Sequence, residues 1–407
     1  MKKTSYAKKL SNNILSLSQI AAQAKRENPN AINATIGMFN DENDDFYTFE
    51  SVRKAINEIS SYDAFSYADT DGGVEFRNSV LRWVFQDELP VFLNRYSVGF
   101  SATCGGSGAI ATTLSNYLNP NEYMLVPSVM WETYITLAKE READFLKYDL
   151  YDSEGNFNLA SIKEKILYLK EKQESIIIVI NDPAHNPTGF CMKDSDYDNL
   201  VNLLNEFDYP FLLLMDVAYF DFYDEDPTII RKRFARLTKL GDHVLLNFAF
   251  SGSKSFGLYG LRIGANILFS SSEQEIINFD NAITYSARAN WGSSSKFGIS
   301  IINKLISKYE DEFKLEVKKV ALMLQQRSKA FLDSAKAVGL KHLPYERGFF
   351  VCIETPDPVK LMNKLHKYDV YVVVTKTCIR VALCAISVNE AKVLPQIILK
   401  AINEMED

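Results

Sequence analysis

The chain has 407 residues, 47% of them hydrophobic and 24% charged, with a formal net charge of −7. That length exceeds what one small core serves and predicts two domains, one of them large. The acidic balance argues against nucleic acid or an anionic membrane as the main partner.

In chain order, the opening MKKTSYAKKLSNNILSLSQIAAQAKRE begins with basic residues. Ser, Asn and Gln interrupt its apolar positions, so no signal-peptide core is expected. No later run reaches the ~20 apolar residues of a spanning helix. The five cysteines (104, 191, 352, 378, 384) form no CxxC pair, and the four histidines form neither HxH nor HExxH. This usage predicts unpaired thiols in a reducing compartment, hence a cytoplasmic protein, and no metal site.

From residue 101, SATCGGSGAIATTL sets Gly105, Gly106, Ser107 and Gly108 ahead of a helical pattern. Bare amides and a hydroxyl at a helix amino terminus suit a phosphate. The runs EYMLVPS, SIIIVIND, YPFLLLMD and HVLLNFAFS are continuously apolar and read as buried strands. Helical stretches separate them, such as KDSDYDNLVNLLNEF, expected to be capped by its Asp and Ser. The alternation predicts a parallel sheet covered by helices on both faces. Ligands of such sheets lie at the carboxyl ends of the strands, here Pro127-Ser128, Asn181-Asp182, Asp216 and Ser251. Residues 298–338 form one long helical pattern closed by Gly339. A compact α+β set follows (GFFVCIE, DPVKLMNKLHKY, VYVVV, CIRVALC and a terminal helix), with which the first forty or so residues are expected to pack.

Three segments at or after strand ends, and one strand further on, carry reactive side chains. In NDPAHNPTGF, Asn186 offers an amide donor between two prolines; in LLLMDVAYF, Asp216 closes an apolar strand and Tyr219 follows three residues on. A carboxylate so placed needs a partner. In SGSKSFGLYGLRIG, Lys254 lies among Ser251, Ser253, Gly257 and Gly260, with Arg262 eight positions later. Partly apolar surroundings and a nearby cation would depress its pKa and suit it to Schiff-base chemistry. In TCIRVALCAIS, Arg380 either reaches solvent from an edge or forms a fork for a carboxylate. A phosphate cradle, an Asp, a phenol, an Asn and a Lys on one sheet edge match pyridoxal 5′-phosphate (PLP) most economically.

HNPTG, DxAY and SxSKxFGLYGxRxG, in order and with their spacing, resemble the fold-type I PLP aminotransferases of class I, within them the aspartate and aromatic amino-acid group; the match runs from about residue 32 to 385. The resemblance implies an α/β fold with a mainly parallel seven-stranded sheet in a large PLP-binding domain (46–305). A smaller α+β domain would comprise 1–45 and 306–407. It implies that Lys254 holds the cofactor covalently and serves as general base and acid at Cα. Asp216 would pair with the pyridinium nitrogen, and Asn186 and Tyr219 would hold the 3′-oxygen. Gly106, Ser107, Ser251 and Arg262 would bind the phosphate, joined by Tyr67 of a partner subunit. Trp131 would stack on the ring, and Arg380 beside the Gly37 backbone would grip the substrate α-carboxylate.

ARANWGSSS resembles the stretch whose Arg crosses the dimer interface to the distal carboxylate, so Arg288 would select the side chain. Three departures bear on that selection. Gly292-Ser293-Ser294-Ser295 replaces the family's Asn-Pro-Pro, PSVMWETY carries two extra residues before Trp131, and Tyr134 stands where aspartate enzymes usually have His. The implied activity is a ping-pong transfer from aspartate, glutamate or aromatic amino acids to a 2-oxo acid such as 2-oxoglutarate, in a homodimer with shared active sites. The alternatives are a cysteine-conjugate β-lyase on the same fold and a PLP-binding transcriptional regulator. For the latter, some thirty leading residues leave no room for a winged helix.

Overall fold

Continuous apolar strands need cover on both faces, and the computed structural model provides it. It describes residues 14–224 and 226–406. Residues 1–13 of the expected small domain, with 225 and 407, lie outside the described residues. The chain parts into two compact units, one of Thr48–Leu322 with Glu346–Gly348, the other of the described residues up to Tyr47 with Met323–Tyr345 and the chain from Phe349 onward.

The larger unit holds a seven-stranded sheet in the order Ser97–Cys104, Ile263–Ser270, Val244–Ser251, Phe211–Asp216, Ile176–Asn181, Tyr123–Pro127, Asp144–Tyr148. Ile263–Ser270 runs antiparallel to both neighbours, and all other adjacent pairs are parallel. Ile177, Val179, Leu212 and Leu214 pack against Ala109, Ile110 and Leu114 of the helix Gly105–Tyr117 and against Tyr134 of Thr133–Glu140. Each fully buried Leu or Ile stabilises by about 1.5–3 kcal/mol. This face therefore fixes the helix Gly105–Tyr117, which begins with the glycine run and not after it, onto the strands that end at Asn181 and Asp216.

Three strands were not expected from the sequence. Ser97–Cys104 and Ile263–Ser270 carry Ser, Gly, Thr and Asn among their apolar residues, and Asp144–Tyr148 is a half-buried edge. None of the three shows a continuous apolar run. The long helical pattern is divided into Lys296–Lys308 and Glu310–Val338. Glu310, Asp311 and Glu312 open the second helix, where acidic side chains complement the helix dipole. The compact units accordingly divide at Leu322 within this second helix, not at 305. In Asp194–Asn205 the expected Asp and Ser caps fall inside the first turn, and Asp196 reaches back to accept from the Lys193 amide at 2.7 Å.

The smaller unit has a four-stranded sheet in the order Ile32–Ala34, Val370–Val374, Cys378–Ala382, Phe350–Glu354, its first pair parallel and the others antiparallel. Its core joins Ile32, Val351, Val372 and Val381 of the sheet to Leu361, Leu394 and Ile398 of the covering helices. Arg327 is buried and donates to the carbonyls of Asn40 (2.8 Å) and Cys384 (3.0 Å) and to Glu42 (2.9 Å). One guanidinium thereby fastens the segment after the first strand to the end of the third. Gly339 closes the long helix at φ 78°, a left-handed conformation that glycine adopts without steric cost.

Candidate active site

The carboxyl ends of Ile176–Asn181, Phe211–Asp216 and Val244–Ser251 lie side by side, because Asn181 pairs in register with Asp216 and Asp216 with Ala249. Asn181 ties them further. Its Nδ2 donates to the Asp216 carbonyl at 2.8 Å and its Oδ1 accepts from the Asn186 amide at 2.8 Å. That second bond anchors the loop after the strand and sets the Asn186 side chain, whose Nδ2 donates to the Tyr219 hydroxyl at 3.3 Å. Asp216 is 6% exposed. Its Oδ2 accepts from the Tyr134 hydroxyl at 2.5 Å and its Oδ1 from the Ala218 amide at 3.2 Å. Burial pushes its pKa up to about 6, against the pull of both donors. Tyr134 is fully buried, and burial beside Asp216 drives its phenol well above the ordinary value, so it remains neutral.

Lys254 follows the strand Val244–Ser251 in the one-turn helix Gly252–Ser255. It is half-buried, with Nζ 4.7 Å from the Tyr259 ring centroid and 5.9 Å from that of Tyr219. Both distances are in the range of cation–π attraction. The amine thus stands beside the Asn186–Tyr219 pair. Arg262 adopts φ 53° and donates from Nη1 to Ser253 Oγ (2.9 Å) and to the Tyr259 carbonyl (3.0 Å). Its guanidinium lies against the start of Gly105–Tyr117: a Cβ on Gly105 would come within 2.7 Å of Nη2, and one on Gly106 within 3.2 Å of Ser251 Cβ. The glycines let a helix amino terminus, a guanidinium and the Ser251 strand end converge. That is the arrangement an oxyanion requires.

Gly106, Asn186, Asp216, Tyr219, Ser251, Lys254 and Arg262 therefore belong to one group at the strand ends of the larger unit, and Ser107 follows Gly106 in the first turn of the helix Gly105–Tyr117. Trp131 joins it through Tyr134, the two rings meeting edge to face at 5.4 Å. Arg288, in the last turn of Glu273–Asn290, is exposed, and Tyr67 is 96% exposed; neither makes any of these contacts. In the smaller unit, Gly37 follows Ile32–Ala34, and Arg380 lies in an inner strand with 5% exposure. Arg380 Nη2 donates to the Thr35 carbonyl at 2.9 Å and its guanidinium sits 4.1 Å over the Phe350 ring, so it does not reach solvent from an edge. Tyr134, Asn181, Ser253 and Tyr259 take part without having been singled out as site residues. For Tyr134 the only signal was its departure from the histidine of the aspartate enzymes.

A doubly covered, mainly parallel sheet with a lysine, a buried carboxylate and an oxyanion cradle at its strand ends is the architecture of the fold-type I enzymes. Residues 29–398 match the family model for aminotransferase class I and II, and the chain belongs to that family. The aspartate aminotransferase of Escherichia coli K12 is 26% identical over 69% of this chain and 70% of its own length. An aminotransferase from Anaerococcus prevotii is 27% identical, with a TM-score of 0.93 and 99% of each chain covered. The aromatic-amino-acid aminotransferase from Burkholderia pseudomallei, covalently bound to pyridoxal phosphate, has the same fold at 20% identity, with a TM-score of 0.79 over 99% of this chain and 100% of that one.

Proposed function

We propose that this aminotransferase moves the amino group of aspartate, glutamate or an aromatic amino acid to a 2-oxo acid such as 2-oxoglutarate, in two half-reactions, with PLP as cofactor. The names of the E. coli and B. pseudomallei relatives support that substrate range. The observation that carries the reading is Asp216, a buried carboxylate whose hydrogen-bond donors are a phenol and an amide. Such a group suits a cationic ring nitrogen supplied by a ligand. The rest of the donor set fits PLP too: an oxyanion cradle at Gly106, Ser107, Ser251 and Arg262, an Asn186–Tyr219 pair for a ring oxygen, and an amine beside them. When bound, the cofactor supplies an aldehyde that condenses with amines and a ring that accepts the electron pair released at Cα.

Lys254 would hold the cofactor covalently and, once its amine is free, would take the proton from the substrate Cα and give it back as general base and general acid. Its position at the end of a buried strand and beside two phenol rings supports the assignment. Asn186 and Tyr219 would hold a ring oxygen, Trp131 would pack on the ring, and Arg380 with the Gly37 backbone would take the α-carboxylate. Arg288 and Tyr67 are assigned to the active site of a partner subunit. Supporting a homodimer, Tyr62, Phe65 and Tyr67 expose their rings within one short stretch, an apolar surface that monomers rarely leave open. Five cysteines without a disulfide suit the cytoplasm.

The test is a half-reaction. Holoenzyme is mixed separately with glutamate, aspartate, phenylalanine and alanine, without an acceptor, and the cofactor's absorbance is followed. Conversion to the amine form is expected with the first three, faster than with alanine. No conversion with any donor, or pyruvate and ammonia from a cysteine conjugate, would overturn the assignment in favour of lyase chemistry.

A further inference from the structure

We propose that Tyr134 is a positioning residue for the transfer reaction: through its hydrogen bond to Oδ2 it fixes the Asp216 carboxylate as the partner of the cofactor's ring nitrogen. The inference rests on the PLP reading above and goes beyond it to a residue that carries no chemistry itself. Three observations converge. The Tyr134 hydroxyl and Asp216 Oδ2 are 2.5 Å apart, the length of a strong O–H···O⁻ bond. Tyr134 is fully buried and is held by the apolar face that packs the helix Gly105–Tyr117 on the sheet, so the hydroxyl has a fixed origin. Its ring meets Trp131 edge-on at 86°, and its amide donates to the Trp131 carbonyl at 3.1 Å. One side chain therefore locates both the carboxylate for the ring nitrogen and the indole assigned to the ring face.

The chemistry of a phenol differs from that of an imidazole at this place. A hydroxyl has one proton, and here Asp216 receives it. The phenol stays neutral across the working pH range, because burial and the neighbouring carboxylate both oppose its ionisation. It can neither take the carboxylate's proton nor add a charge that would compete with the ring nitrogen. The other titratable groups that act on Tyr134 are also phenols, Tyr148 from the strand Asp144–Tyr148 and Tyr219 from the turn after Asp216, and burial raises the pKa of Tyr148. A cation of the cluster, Lys254, lies with its Nζ 5.9 Å from the Tyr219 ring centroid. Within this frame the Tyr134 and Ala218 donors are what favour the ionised form of Asp216 against its burial. Removing the hydroxyl must let Asp216 hold its proton to higher pH, and a protonated carboxyl is a poor partner for a pyridinium.

The experiment is Tyr134→Phe beside Tyr134→His, both prepared with PLP. The readouts are the cofactor dissociation constant between pH 5.5 and 8.5, and kcat and KM for the donor amino acid. For Tyr134→Phe the cofactor is expected to bind about 10–100-fold more weakly at pH 7, the worth of a hydrogen bond to a charged group. The pH below which affinity is lost should move upward, and kcat should fall while KM for the donor stays within twofold. Tyr134→His, which restores a donor, should recover most of the affinity at neutral pH. Unchanged affinity and an unchanged pH profile in Tyr134→Phe would overturn the proposal and leave Tyr134 a packing residue. A uniform loss at every pH, not recovered by histidine, would do the same. If Tyr134→Phe fails to fold, Tyr134→His decides: affinity near the native value at neutral pH with a pH profile altered where the imidazole titrates supports the proposal, and a native pH profile throughout overturns it. Failure of the native protein to bind PLP would instead refute the reading on which this rests.

Discussion

Asp216 ends a strand and Asp221 lies in the short helical segment Phe220–Phe222 that follows it; both are buried, at 6% and 3% exposure, yet their surroundings differ in kind. Asp221 has an internal cation. Its Oδ1 accepts from Arg231 Nη2 at 2.7 Å and its Oδ2 from Trp83 Nε1 at 2.9 Å, while the guanidinium, 1% exposed, rests 4.6 Å over the Phe220 ring. Among the described residues, the donors to Asp216 are neutral groups, the Tyr134 hydroxyl and the Ala218 amide. A carboxylate already given a guanidinium holds parts of the fold together. One kept buried on neutral donors has its attraction for a cation in reserve, and the cationic ring of the cofactor is what it suits. Between these two carboxylates that difference separates scaffold from site, which burial does not.

The largest effect should come from breaking the internal pair. Arg231→Met leaves Asp221 buried without its cation and should cost about 3–5 kcal/mol in unfolding free energy. Cofactor affinity and kcat of the protein that remains folded should stay within about twofold. Pairing it with Asp221→Leu removes the stranded charge, so urea unfolding should recover much of the loss. A single variant as stable as the native protein would mean that Asp221 is not held by Arg231, and the contrast with Asp216 would fail.

Asp216→Asn sharpens the comparison from the other side. It removes a buried charge but keeps the shape, so the apoenzyme should be at least as stable as the native one at pH 7.5. The sign follows from linkage. A carboxyl whose folded pKa of about 6 lies above its ordinary 3.8 contributes stability below about pH 4, and that contribution is lost as pH rises through 6. Turnover should nevertheless fall on the order of 10²–10³-fold, the scale of losing one preorganised electrostatic partner of a developing charge. Native-like kcat in this variant would remove Asp216 from the reaction.

Most of this contrast could be read in the sequence only on the side of the site. Lys254, Asp216, Asn186 and Arg262 sit in strings whose order and spacing point to one sheet edge, and four of the seven strands announce themselves as apolar runs. The hydrogen bond from Tyr134 to Asp216 could not be read, because it depends on how the helix Thr133–Glu140 docks on strands far along the chain. The Trp83–Asp221–Arg231 cluster is equally silent: its members come from three separated segments, and none sits in a recognisable pattern. Arg380 was legible as two alternatives, and strand order removes the solvent-reaching one, since its strand is an inner one and the side chain is buried. Periodicity also ran the helices around Tyr309 together, where the acidic start of the second helix would have been the usable mark.

Asp182 gives the smallest and most discriminating test. Like Asp216 it is buried on neutral donors, the Tyr197 hydroxyl at 2.5 Å and the Met192 amide at 2.7 Å, but these close the loop that carries Asn186 instead of facing the group around Lys254. Burial pushes its pKa up to about 7. Between its ordinary value and 7 the folded protein keeps the proton and the unfolded chain does not, so its contribution to stability is full below about pH 4 and disappears as pH rises through 7. Asp182→Asn copies the protonated form and can keep both hydrogen bonds. The native apoenzyme should therefore lose on the order of 2 kcal/mol more than the variant between pH 5 and 7.5 in urea unfolding. Cofactor affinity should differ little between the two, whereas Asp216→Asn should lose affinity while flattening the same kind of slope. Equal losses in the native protein and Asp182→Asn would mean that Asp182 is ionised throughout. Neutral donors alone would then no longer mark a carboxylate as held in reserve, and the case for Asp216 would rest on its place beside Lys254.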